Sequence, residues 1–155
     1  MIGNDLVDLE QAAKDSNWER KGYLDKIYTL KEQETIRSAN HPNQLVWILW
    51  SMKEAVYKIH SRKTGIRSYA PTSLVCTNLI FNAGQVSGQL VTDSTHYYTC
   101  SSIEKSYIHT IAATSLTELS TITIEIYAYP SNLFDYKNLN PKCISHHGRF
   151  LALVY

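Results

Sequence analysis

The pattern of apolar and polar positions changes character near residue 70. Helical spacings dominate before it and strand spacings after it. The chain opens with an apolar strand over residues 2–9, carried by Ile2, Leu6, Val7 and Leu9 and interrupted by Asp5 and Asp8. Trp18, Leu24, Ile27 and Tyr28 recur on a rough 3.6-residue period and predict a helix over 17–28. Thr29-Leu30-Lys31-Glu32 has the spacing of a capping box, so a second short helix should start there and end near Ser38. His41-Pro42-Asn43 breaks that helix, and Asn43 is placed to cap a third, over 44–61. Leu45, Leu49, Met52, Val56 and Ile59 line one face of this third helix. Trp50, Glu54 and Lys58 form another row at successive i, i+4 spacings. Trp47 and Ile48 make its first half apolar nearly all round, which predicts burial.

Beyond Gly65, Ser73–Phe81 is apolar and β-branched. The turn signal Asn82-Ala83-Gly84-Gln85 follows, then Val86–Val91, which together predict a hairpin. Tyr97–Ile103 and Tyr107–Thr114 predict two more strands. Thr121–Tyr129 alternates, with Ile122, Ile124, Ile126 and Ala128 on one face and Thr121, Thr123, Glu125, Tyr127 and Tyr129 on the other. That reads as a half-buried antiparallel strand ended by Pro130. Residues 131–142 read as a polar loop or short helix, and Phe150–Tyr155 as a closing strand. The expectation is α+β: one domain over 1–155, with a long helix packed on a largely antiparallel sheet.

Charge narrows the partners. Fifteen Lys plus Arg against fourteen Asp plus Glu give +1, which weighs against a general nucleic-acid surface while allowing a small basic patch. Cys76, Cys100 and Cys143 are scattered and odd in number, as in a reducing compartment. The opening Met1-Ile2-Gly3-Asn4-Asp5 carries acid where a signal peptide needs base. The longest apolar run, Leu45–Trp50, is far short of the ~20 residues that a membrane-spanning helix needs. The expectation is a cytoplasmic protein with no membrane partner.

Two features sit awkwardly in a purely structural chain. Asp5 interrupts an apolar strand, and Glu54 and Lys58 lie on a helix whose first turns are apolar. An ionised carboxylate near a core is costly unless paired or bound to metal. One carboxylate from a strand and one from a helix are also what a magnesium site needs. The plainer reading is a surface ion pair between Glu54 and Lys58, with Asp5 in a turn or cap. His146 and His147 point to opposite faces of any strand, and His109 reads as a core histidine.

The string Trp50-Ser51-Met52-Lys53-Glu54-Ala55-Val56-Tyr57-Lys58 resembles the W/F-x-x-K-E-A-x-x-K signature of the 4′-phosphopantetheinyl transferase superfamily. Gly3-Asn4-Asp5-Leu6-Val7-Asp8 resembles the family's G-x-D motif, with helical patterns between the two. Ile144-Ser145-His146-His147-Gly148-Arg149-Phe150 is similar to its S-H-x-G-R/Y segment. Lys63-Thr64-Gly65-Ile66 resembles the glycine turn after its long helix. Residues 85–140 add little recognisable signal.

The resemblance implies transfer of the 4′-phosphopantetheine arm from coenzyme A to a serine of an acyl or peptidyl carrier protein, releasing 3′,5′-ADP. By position, Asp5 and Glu54 would hold Mg2+, and Glu54 or a water it orients would take the serine proton. Lys58 would contact the pyrophosphate. Ser145 and His146, with Arg149, Arg62 and Lys63, would bind coenzyme A. Lys53 would reach a phosphate or solvent. Val7 stands where two-lobed members carry a second acid, and Asp8 follows three residues after Asp5, a pattern closer to the small holo-[acyl-carrier-protein] synthases. A single lobe of that type implies a homo-oligomer, a trimer, with sites between subunits. A subunit contact would bury some of the eleven tyrosines, Tyr127 and Tyr129 among them. Lys14, Arg20 and Lys21 would face the acidic carrier. Two other readings compete: a non-catalytic coenzyme A-binding relative of the same fold, and a hotdog-type thioesterase.

Overall fold

The computed structural model describes residues 1–92, 95–129 and 136–155. β1 (Ile2–Asp8) leads into α1 (Leu9–Asp15), α2 (Tyr23–Ile27), α3 (Leu30–Ser38) and the long α4 (Pro42–Thr64). After a 3-10 turn at Pro71–Ser73 come β2 (Val75–Asn82), β3 (Gln85–Thr92), β4 (Thr95–Ile103) and β5 (Tyr107–Ala113). α5 (Leu116–Ser120), β6 (Ile124–Ala128), a 3-10 turn at Tyr136–Leu139, β7 (Cys143–His147) and β8 (Phe150–Val154) complete the described chain. The strands form two antiparallel sheets, one of five in the order β1-β5-β4-β3-β2 and one of three in the order β6-β8-β7. The α+β class expected from the sequence is the class observed.

Helix α4 lays Leu45, Ile48, Leu49, Met52, Val56 and Ile59 on the five-stranded sheet, against Val86, Leu90, Tyr97, Ile108 and Ala112. Each such side chain contributes about 1.5–3 kcal/mol by leaving water. A smaller cluster of Ile2, Ile111 and Val154 joins the two sheets. β1 is therefore covered on both faces, by α4 and by the small sheet, and every one of its residues is buried. Gly3 sets the helix–strand distance: a Cβ there would lie 2.1 Å from the Ala55 carbonyl oxygen. The free edge of β1 is flanked by β7.

Several boundaries differ from those read in the sequence. The capping box forms as expected, Thr29 N–H donating to Glu32 Oε2 (2.8 Å) and Glu32 N–H to Thr29 Oγ1 (3.3 Å). The helix expected over 17–28 shrinks to α2, Tyr23–Ile27, and a separate helix, α1, precedes it. Asp8 caps an earlier helix by accepting from the Glu10 and Gln11 N–H groups, and Gly22, at φ 80°, starts α2. Asn43 does not cap α4, which begins at Pro42; its Oδ1 accepts from the Trp18 indole instead. The helix runs past 61 until Gly65 turns the chain at φ 74°. The strand expected over 121–129 shrinks to β6, in which Glu125, Ile126 and Tyr127 are half-buried while Ile124 and Ala128, of the expected inner face, are exposed. Its alternation suits an edge strand of the small sheet, whose buried strand is β8. α5, capped by Ser115, carries no periodic signal long enough to read. Pro130 and residues 131–135 lie outside the described residues.

Candidate functional site

The strand–helix contact at Gly3 and Ala55 places Asp5 of β1 against the next turn of α4. Lys58 Nζ donates to Asp5 Oδ1 (3.1 Å), to the Asn4 carbonyl (2.7 Å) and, longer, to Ser145 Oγ (3.4 Å). One ammonium thus joins β1, α4 and β7. Glu54 lies one helical turn before Lys58 and shares with Asp5 an open cleft of about 300 Å³, walled by Trp47, Trp50, His146 and His147. Asp5, Glu54, Lys58, Ser145 and His146, which the resemblance groups together, meet at this junction.

Both carboxylates are costly to ionise where they stand. Burial pushes the Asp5 pKa up and Lys58 pulls it partly back. Burial, and then the charge of Asp5, push Glu54 up in the same direction, with Lys58 opposing. One ammonium does not fully offset two buried carboxylates.

The donor set fits a magnesium ion. Two hard oxygen ligands from rigid elements face one cleft, and magnesium is commonly held by one or two carboxylates plus water and phosphate oxygens. Among the described residues no group of three or more His, Cys, Asp or Glu gathers as a dedicated metal cage. The buried side-chain polar atoms without a hydrogen-bond partner, among the described residues, are Asn4 Oδ1, Ser51 Oγ and Tyr69 Oη. Two of these accompany the carboxylates: Ser51 acts on Asp5 and Tyr69 on Glu54.

The remaining sequence candidates divide. Ser145 is buried, whereas His146 is exposed and stacks on Tyr129 at 5.3 Å. Arg149 is occupied: its guanidinium grips Asp8 through Nε and Nη2, both at 2.8 Å, its backbone N–H adds a 3.0 Å bond, and Nη1 reaches Glu10. This grip holds Asp8 well below the usual carboxylate range. A Cβ on Gly148, at φ 52°, would strike Asp8 Oδ2 at 2.5 Å, so the glycine of the S-H-x-G-R segment makes room for that latch. Arg62 donates Nε–H to the Lys58 carbonyl (2.7 Å) and its guanidinium to the Ile2 carbonyl. Lys63 is exposed at the end of α4. Lys53 reaches neither phosphate nor solvent: it is fully buried and bonds Glu32 Oε2 and the Pro71 and Leu74 carbonyls. Lys14 pairs with Glu10 on its own helix (2.7 Å), while Arg20 and Lys21 are exposed.

Sequence reasoning missed Ser51, Tyr69 and His147. His147 Nδ1 accepts the Asp8 N–H (2.9 Å), tying β7 to β1. Ser51 had a readable signal, since it lies one turn before Glu54's neighbour Ala55 on the row facing Gly3. Tyr69 had none.

Residues 1–112 match the family model of the 4′-phosphopantetheinyl transferase superfamily. A holo-[acyl-carrier-protein] synthase of Fusobacterium nucleatum is 34% identical over 77 residues, which cover 50% of this chain and 60% of that protein. The chain thus spans less than two thirds of that relative. The match displaces the hotdog-type thioesterase reading. It includes β1, α4 and the site residues Asp5, Glu54 and Lys58, and extends almost to the end of β5. By this match over well more than half its length, the chain belongs to the 4′-phosphopantetheinyl transferase superfamily.

Proposed function

We propose that this protein transfers the 4′-phosphopantetheine arm of coenzyme A to a serine of an acyl or peptidyl carrier protein. The observation that supports this most is that Asp5 and Glu54 share one cleft, lined from β7 by His146 and His147, while Lys58 bonds Asp5 and reaches Ser145 beside it. In the reaction, the serine oxygen attacks the β-phosphorus of coenzyme A. The bond to the bridging oxygen breaks, and 3′,5′-ADP leaves with that oxygen.

Asp5 and Glu54 would hold Mg2+, which when bound supplies charge neutralisation to the pyrophosphate. Glu54 takes the serine proton, directly or through a water that it orients. Lys58, bonded to Asp5 before substrate arrives, lies close enough to turn toward the leaving pyrophosphate oxygens. Ser145, His146 and the exposed Lys63 bind the coenzyme's outer phosphates. Arg149 and Arg62 support the site by fixing β7–β8 and β1, and contact the coenzyme only if they release their present partners. The working unit is a homo-oligomer, a trimer, with the carrier docking beside Arg20 and Lys21.

The test is a mass assay of the protein with apo-carrier proteins from fatty acid, polyketide and peptide systems, Mg2+ and coenzyme A. A carrier gaining the mass of the arm is the expected result. No gain with any carrier, under conditions where coenzyme A binds, would establish the non-catalytic relative instead. Glu54→Ala should lower transfer by about 10²–10⁴-fold with an unchanged circular dichroism spectrum.

A further inference from the structure

Tyr69 lies in the stretch that leaves α4 at Gly65 and runs back along it to the turn at Pro71–Ser73. Hydrogen bonds from α4 hold that stretch down. Tyr57 Oη donates to the Arg67 carbonyl (2.6 Å), and Lys53 Nζ donates to the carbonyls of Pro71 (2.9 Å) and Leu74 (2.8 Å). Trp50, Lys53, Glu54 and Tyr57 fall at i, i+3, i+4 and i+7, so one sector of the helix receives the returning chain. The Tyr69 ring lodges between Trp50, edge-on at 5.9 Å, and Tyr57 at 4.6 Å. Its hydroxyl is buried within electrostatic reach of Asp5 and beside the Glu54 carboxylate, which it engages at a loose contact short of full hydrogen-bonding geometry. A buried hydroxyl costs stability while unpaired, and a carboxylate oxygen is its natural acceptor.

We infer that Tyr69 is a positioning residue for Glu54, its Oη–H donating to the carboxylate oxygen that faces away from the ligand and fixing the rotamer that points Glu54 across the cleft to Asp5. The inference rests on the phosphopantetheinyl-transfer reading for what Glu54 does, but not for how it is held. The returning stretch acts as a strap: α4 clamps it at Arg67, Pro71 and Leu74, and the strap in turn orients a side chain of α4. A contact that is loose without ligand and tightens with it contributes selectively to the loaded site.

Tyr69→Phe keeps the ring between Trp50 and Tyr57 and removes only the oxygen. The ligand-free melting temperature should stay within about 2 °C, since only a loose contact is lost there. A calorimetric titration with magnesium chloride in the presence of coenzyme A should show about fivefold weaker metal binding. Transfer should lose about tenfold in kcat, with KM for coenzyme A unchanged within twofold. A residue that merely fills space would move none of these. Unchanged metal affinity and kcat overturn the inference. A large fall in the ligand-free melting temperature also overturns it, because the hydroxyl would then be bonded in the resting fold. If the wild-type protein binds metal and coenzyme A but transfers nothing, the transfer reading fails and the calorimetric comparison alone decides for Tyr69. If it binds no metal, both fail.

Discussion

Lys53 and Glu54 are adjacent in sequence and have opposite surroundings. Lys53 is sealed in the core with all three ammonium hydrogens directed at Glu32, Pro71 and Leu74, while Glu54 opens on the cleft. Lys53→Met should therefore leave Glu32 as an uncompensated buried carboxylate and cost about 3–5 kcal/mol in urea denaturation. Adding Glu32→Gln should return a large part of it. The sequence could not separate these two neighbours. Helical spacing places Lys53 about 100° from Glu54, but its partners come from α3 and from the strap beyond Gly65, which spacing within one helix does not reveal. His109 illustrates the opposite case, a core histidine that alternation did reveal. Burial pushes its pKa down to about 4 from 6.5, with Lys58 adding to the effect. Between those values the unfolded chain binds a proton that the folded chain does not, so this residue makes stability fall as pH drops from about 6.5 toward 4, by up to roughly 3 kcal/mol. Asp5 and Glu54 shift upward and contribute with the opposite sign. The measurement is thus the difference between wild type and His109→Gln in denaturation across that range. A parallel pair of curves would refute the assignment.

At the level of elements, α4 and β1 form one device. The helix was legible because its apolar row repeats over many turns, and the motif residues Glu54 and Lys58 lie on a separate row of the same helix. β1 was legible as a strand but not as a strand covered on both faces, because the covering residues of the small sheet come from the far end of the chain. α1 escaped notice for a similar reason: its start depends on Asp8, which reads as part of the strand until Gly148 and Arg149 are brought against it. The contact between the two elements is backbone to backbone at Gly3. Gly3→Ala would place a Cβ 2.1 Å from the Ala55 oxygen, and neither atom belongs to a flexible side chain. The strand must then move away from the helix, which should cost about 1–3 kcal/mol of stability. The same displacement lengthens the Lys58–Asp5 bond and separates Asp5 from Glu54. Transfer should fall by at least tenfold even at temperatures where the variant is fully folded, as judged by near-ultraviolet circular dichroism. Full activity in a folded Gly3→Ala protein would mean that the pair tolerates a looser spacing than the site geometry implies.

At the level of the molecule, the cleft has a built side and an open side. β1, α4 and β7 supply the carboxylates, the ammonium and Ser145 from within one chain, and Lys63 projects from the end of α4. A net charge of +1 over 155 residues gives the chain no strong overall attraction for an anionic coenzyme. A neighbouring subunit in a closed ring would complete the wall and exclude water from the transferring phosphoryl group. Light scattering at micromolar concentration should then give the mass of a trimer. Dilution should test the functional side of the idea more severely. If the open side is walled by a neighbour, specific activity should fall steeply once the ring dissociates and recover on reconcentration. The melting temperature should likewise depend on protein concentration, since association stabilises the folded subunit by mass action. A monomer that keeps constant specific activity over a hundredfold dilution would show that the cleft needs no second chain. The basic groups beside it would then have to come from Lys63 and the released Arg62 of the same subunit, and Arg62→Ala should raise KM for coenzyme A in that monomer.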